Sequence, residues 1–259
     1  MSSTTWTPAA VASEARPYRG RVWRSVEAQH AAATMKITRS LEEQRVIEDI
    51  IESVKPPLPQ GLERLHYLLA TPFRYRPYPT GSRFRRRGDP RGVFYAAERG
   101  RTALAERAFY LLLNLAESIA DRAPRWAGPI TLFSVPVAAE RTADLTAAPL
   151  DRDRASWTHP FDYGPCQAFA DTVRDAGIMA IRYESVRDLE QGANLALLTP
   201  QGFAASRPDR AQTWQLAADA QGVRAVEELT RQSLAFPRAA FAADPRLAPL
   251  AGFDEPTDA

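Results

Sequence analysis

The chain has 259 residues, 45% hydrophobic and 25% charged, with a net charge of +2. That allows one substantial core and excludes a strongly basic protein held to polyanions by bulk charge. The single cysteine, Cys166, excludes an internal disulfide framework, and His30, His66 and His159 show no metal-ligand spacing, so no metal is expected.

No apolar run approaches the ~20 residues of a membrane span, and the N-terminus lacks a basic head followed by an apolar core. The expectation is a cytoplasmic protein with no membrane partner. The lysines are only Lys36 and Lys55, so nearly all positive charge is arginine, whose fork matches phosphate oxygens.

In chain order, RVWRSVEAQHAAATMKI carries Trp23 and Val26 at near-helical spacing. SLEEQRVIEDIIESVKPP follows, with Ser40 and Glu43 forming a capping box and Pro56–Pro57 ending the run. Residues 1–60 are therefore expected to be a helical N-terminal extension. LERLHYLLATPFRY then leads into an arginine- and glycine-rich loop, and GVFYAA has strand character. Thr102 is expected to cap a strongly apolar helix, TALAERAFYLLLNLAESIADR, that runs through the core.

PITLFSVPV is a strand whose prolines suggest an edge position. CQAFADTVRDAG is a short helix closed by Gly177, and IMAIRYESV and ANLALLT are strands joined by a tight polar connection. TWQLAADAQGVRAVEEL makes a hairpin around Gln221–Gly222. This order predicts an α+β fold with a mixed β core over residues 61–232 and a tail at 233–259. Neither GxGxxG after a first strand nor a GxxxxGK[ST] loop is present.

Several residues stand out as site candidates. Arg83, in GSRF, either grips an anion beside a glycine turn or is a solvated loop arginine. Glu106 sits among Leu104, Ala105, Ala108 and Phe109; it faces a core seam as a functional group, or pairs with Arg101 or Arg107. Tyr95 stacks on a flat ring or fills the core. Ser185, where a strand gives way to a turn, donates to a ligand or forms a local turn with the backbone. His159 reads as a loop residue and Cys166 as a buried helical thiol.

Arg in GSRF, Tyr in GVFYAAE, Glu in RTALAE and Ser in IRYESVRDLEQGANLALL occur in the order seen in the RES domain, which this chain resembles over roughly Leu62–Thr199. RVWRSVEAQH, SLEEQ and KPPLP resemble the extension of the ParT-type branch. The resemblance implies an ADP-ribosyltransferase-like fold, NAD as co-substrate, and the role of toxin beside an Xre-type antitoxin, with nucleic acid met only through that partner. Members of the family hydrolyse or phosphorolyse NAD, and the ParT-type branch is associated with ADP-ribosylation of a phosphoribosyl-pyrophosphate synthetase.

By position, Glu106, Arg83 and Ser185 become the catalytic trio. Arg74, Tyr75, Arg83, Tyr95 and Ser185 become NAD-binding residues. GSRF in place of the relatives' GGRW, and the added RRRGDPRG, are departures in the loop. The expected chemistry is cleavage of the nicotinamide–ribose bond with transfer of ADP-ribose to a protein. The alternatives are an NAD glycohydrolase or phosphorylase, and, in a different class, a nucleic-acid-binding protein using RFRRRGDPR as its surface.

Overall fold

The computed structural model describes residues 6–27, 40–54, 56–74, 81–118 and 126–253. The chain begins with a short helix, α1 (Pro8–Glu14), then strand β1 (Arg16–Glu27). Helix α2 (Leu41–Val54) follows, its start capped as the sequence predicts by the Glu43 amide donating to Ser40 Oγ at 3.1 Å. Next come α3 (Tyr67–Arg74), β2 (Phe94–Ala97), α4 (Gly100–Glu117) and β3 (Trp126–Asp144). A 3-10 turn leads into α5 (Arg154–Trp157) and α6 (Gly164–Asp175). The strands β4 (Ala180–Glu184), β5 (Ala193–Leu197), β6 (Arg210–Asp219), β7 (Gly222–Glu227) and β8 (Ser233–Pro237) complete the sheet, and two 3-10 segments, Arg238–Phe241 and Pro245–Phe253, follow.

The fold is α+β, and among the described residues there is one mixed sheet in the order β1-β2-β5-β4-β3-β6-β7-β8, in which only β3 and β4 run parallel. β1 also pairs with β3, so β1, β2, β5, β4 and β3 close on themselves. Two expectations need correction. Trp23 and Val26 lie on strand β1, not on a helix: Trp23 pairs with Ser134 and Ala97, Val26 with Thr131. The stretch 16–27 of the expected helical extension is thus part of the main sheet. Its β-branched and aromatic residues are held by cross-strand packing, which overrides a loose 3.6-residue spacing.

Nor is β3 an edge strand, since β1, β4 and β6 all border it. Its prolines are tolerated because the strand changes neighbours along its 19 residues. Among the described residues, Pro129 precedes the pairing with β1, which begins at Ile130. Pro136 lies past the pairing with β6, which ends at Ser134. Each proline therefore has a strand on one side only, where a missing N–H costs no ladder bond.

Helix α4 is apolar on most of its circumference and runs through the interior. Leu104, Ala105, Ala108, Phe109 and Leu112 are fully buried against the hairpin of β6 and β7 and the C-terminal Phe241, Leu247 and Leu250. Each buried leucine contributes roughly 2 kcal/mol. A second apolar cluster gathers Phe84, Trp157, Cys166, Phe169, Ile181 and Tyr183 where α6 covers β4 and β5. The candidate site lies between these two clusters.

Candidate functional site

Arg83 is carried by a tight turn. Gly81 adopts φ +72°, and a Cβ there would approach Arg85 O at 2.8 Å, so the position needs glycine. Ser82 and Arg85 exchange backbone bonds of 2.8 and 3.2 Å, and Gln167 Nε2 on α6 donates to Ser82 O at 3.0 Å. Tyr95, on β2, holds the same turn: its hydroxyl accepts from the Phe84 amide at 2.9 Å and lies 2.8 Å from Ser82 Oγ.

The Arg83 side chain is directed inward and is 8% exposed. Its Nη1 donates to Trp157 O at 2.7 Å and lies 3.9 Å from Cys166 Sγ, and the guanidinium sits 4.6 Å from the centroid of Tyr163. Both hydrogen bonds use Nη1, and among the described residues Nε and Nη2 have no hydrogen-bond partner.

Glu106 projects from α4 one turn after Thr102. Its Oε1 accepts two bonds of 2.7 Å, from Ser185 Oγ and Asn194 Nδ2. Among the described residues no donor occupies Oε2. The sequence left an ion pair with Arg101 or Arg107 open, but both arginines are engaged elsewhere. Arg101 lies 2.9 Å from Glu190, and Arg107 lies 3.0 Å from Glu27.

Ser185 makes the local turn that its sequence position suggested, and its hydroxyl is directed at Glu106. While donating to Glu106, its Oγ accepts from the amides of Arg187 and Asp188 at 3.2 Å each. The loop that carries it is tied to the start of α4 by Thr102 Oγ1, which donates to the buried Asp188 Oδ2 at 2.7 Å. Gly192 closes this loop, its carbonyl accepting from Ser185 N at 2.8 Å. A Cβ on Gly192 would come within 2.1 Å of Thr102 Oγ1.

The electrostatics bind these groups into one neighbourhood. Burial works against the charge of Arg83, but over the alkaline range in which a guanidinium titrates, the deprotonated Cys166 and its acidic neighbours, Glu106 among them, outweigh burial and raise its pKa. Tyr183 is pushed well above the usual phenol value, first by burial and then by Glu106 and Tyr95. Burial likewise raises Tyr95. Both phenols stay neutral donors. Burial also raises the Cys166 thiol against the pull of Arg83, leaving it a buried, protonated neighbour.

The structure therefore brings Arg83, Tyr95, Glu106 and Ser185 together. Arg74 has a separate anchor, its Nε donating to Pro56 O at 2.6 Å. Tyr75 lies outside the described residues. Asn194 carries half of the support for Glu106 and was not singled out in the sequence. Its signal was an amide on a buried strand between apolar residues, and its Oδ1 is buried without a partner. His159 is a loop residue, its Nδ1 accepting from the Asp162 amide at 2.8 Å. The arginine run is partly neutralised: Arg86 and Arg91 reach Asp171 at 2.8 and 3.0 Å, and Arg91 also pairs with Asp89.

The family model of the RES domain matches residues 58–219, more than half of the chain. The chain belongs to the RES-domain family. Arg83, Tyr95, Glu106, Ser185 and Asn194 all fall inside the matched range. No curated protein matches the chain. One solved structure similar to it is the M. tuberculosis MbcT–MbcA toxin–antitoxin complex, in which the matched chain is 11% identical, with a TM-score of 0.45 and coverage of 91% of this chain and 94% of that one. Among the described residues no helix is long and apolar enough to cross a membrane.

Proposed function

We propose that this RES-domain protein is the toxin of a toxin–antitoxin pair, and that it binds NAD and cleaves its nicotinamide–ribose bond. The observation that carries the reading is the pairing of opposites without neutralisation. Arg83 and Glu106 share one tyrosine-lined neighbourhood, no ion pair joins them, and each keeps an unused polar edge. A buried charge is costly unless a partner compensates it. A dinucleotide supplies both partners: pyrophosphate oxygens for the guanidinium and a ribose hydroxyl for the carboxylate.

Cleavage sends the C–N electron pair to nicotinamide and leaves positive charge on the ribose, as in glycoside cleavage. Glu106 Oε2, hydrogen-bonded to a ribose hydroxyl, stabilises that charge. Ser185 and Asn194 fix the carboxylate through Oε1, so its free oxygen needs no reorganisation during the reaction. Arg83, with Arg74 and Tyr75 as further binding residues, holds the pyrophosphate. Tyr95 and the half-exposed Tyr110 offer faces to the nicotinamide ring.

The acceptor of ADP-ribose is a protein, of which phosphoribosyl-pyrophosphate synthetase is the example that the branch resemblance suggests. The partner that restrains the activity is an Xre-type antitoxin. The experiment is nicotinamide release by the purified chain, with and without the candidate acceptor and inorganic phosphate. Release accompanied by a mass gain of one ADP-ribose on the acceptor supports transfer. Release that needs only water or phosphate supports the hydrolytic or phosphorolytic alternative. No release under any of these conditions removes the reading.

A further inference from the structure

The segment after β8 lies beyond the residues matched by the family model, yet it reaches the site. At its centre is Asp244, whose side chain is fully buried and which joins two arginines. Arg187 Nη2 donates to Asp244 Oδ2 at 2.8 Å, and this guanidinium also lies over the Phe109 ring, 3.5 Å from its centroid. Arg246 grips the same carboxylate with both ends of its fork, Nε to Oδ1 at 2.9 Å and Nη2 to Oδ2 at 2.6 Å. Phe109 lies under both guanidiniums and packs edge-on against Phe241 of the same segment, with ring centroids 5.8 Å apart.

Each arginine leads to a different half of the site. Arg187 is two residues from Ser185, and its own amide donates to Ser185 Oγ, the hydroxyl that fixes Glu106. Arg246 lies near enough to the Tyr163 phenol to interact with it electrostatically, and Tyr163 carries Arg83 on its ring. One carboxylate thus supports the carboxylate side through Arg187 and the guanidinium side through Arg246. Stability alone gives no reason for this arrangement, because a buried ion network is no more stabilising than well-packed apolar groups.

We propose that Asp244 is a positioning residue which, through Arg187 and Arg246, sets the Glu106 and Arg83 halves of the site against each other from a C-terminal clamp. In its consequences for catalysis the inference rests on the NAD-cleaving reading above.

The test uses the full chain carrying Asp244→Asn, Arg246→Gln or Arg187→Gln, with NAD as the probe. Thermal unfolding, NAD titration, turnover at saturating NAD and amide exchange are measured for each. Arg246→Gln, at a partly exposed position, should weaken NAD binding about tenfold with turnover within about twofold of the parent. Arg187→Gln should lower turnover about tenfold with a smaller effect on affinity. Asp244→Asn should do both and speed exchange at the 185–188 amides, while the β6–β7 hairpin stays protected.

A purely structural clamp would lower the unfolding temperature without splitting affinity from turnover. Folded variants with binding, turnover and exchange all within twofold of the parent overturn the proposal. Should Asp244→Asn fail to fold, Arg246→Gln alone decides: unchanged affinity sinks the clamp. If the parent chain neither binds nor cleaves NAD, the functional reading fails, and the exchange pattern still decides the clamp.

Discussion

Two arginine–carboxylate clusters sit on opposite faces of the same strands, and they are built differently. Strand alternation directs Ile181 and Tyr183 of β4 toward the site and Arg182 and Glu184 to the other side. There Arg182 pairs with Glu98 at 2.7 Å and Asp144 at 3.3 Å, and it also bonds Thr146. A cleft of about 190 Å³ opens beside it between Glu98, Arg182, Glu184 and Gln191. Its arginine is already satisfied by its own neighbours. Arg83 and Glu106 have opposite charges in one neighbourhood and do not satisfy each other. The reverse-face cluster joins strands through its own ion pairs, whereas no ion pair joins Arg83 to Glu106.

The comparison can be broken from its largest expected effect downward. Glu106→Gln keeps the shape and the Ser185 and Asn194 contacts but loses the charge, so NAD turnover should fall by about 10³-fold at unchanged unfolding temperature. Arg83→Ala should weaken NAD binding by about 100-fold, the scale of a lost charge-assisted hydrogen-bond pair, as read by titration calorimetry. Ser185→Ala removes one of two donors to Glu106 Oε1 and should cost turnover about tenfold.

Arg182→Met is the contrasting variant. Its ion pairs are partly exposed, so stability should drop by about 1 kcal/mol, read by denaturant unfolding, with NAD turnover unaffected. Loss of turnover there would erase the distinction between the two faces.

The smallest effect concerns acid. Burial pushes the Asp244 carboxyl up, but the hydrogen bonds from Arg246 and the charges of Arg187 and Arg246 outweigh it and hold its pKa below the ordinary value. Its stabilising contribution is then fully present above the unfolded value of about 3.9 and is lost as pH falls through the folded one. The unfolding temperature should decline on acidification below about pH 4, and Asp244→Asn should decline less steeply over the same window.

Much of this was legible from local pattern. The strand–turn–strand around Ser185 and the hairpin at Gln221–Gly222 carry short-range signals and form as expected. The apolar run also forms its helix, but that helix begins at Gly100 with Arg99 at its N-cap, so Thr102 lies inside it and bonds Asp188 instead of capping. What failed depended on partners far away in the chain. Whether Trp23 and Val26 lie on a helix or a strand is decided by β3, more than a hundred residues on. Whether Pro129 and Pro136 mark an edge depends on where β1 and β6 begin and end against β3.

The site divides in the same way. Arg83, Tyr95, Glu106 and Ser185 could be read through family order. Asn194, Tyr163 and Asp244 became visible only with the packing, because an Asn, a Tyr and an Asp have no local signature for supporting another side chain. The hydroxyl of Tyr95 also holds the Arg83 turn, a use that no local pattern announced.

The central claim is that Arg83 and Glu106 stand apart because a dinucleotide comes between them. Chromatographic measurement of nicotinamide and NAD after incubation with the purified chain tests it most directly, with Glu106→Gln run in parallel. The account predicts one nicotinamide formed for each NAD lost by the parent and almost none by the variant. Equal release by both proteins, or NAD left intact by a folded parent chain across the acceptors tried, would contradict it.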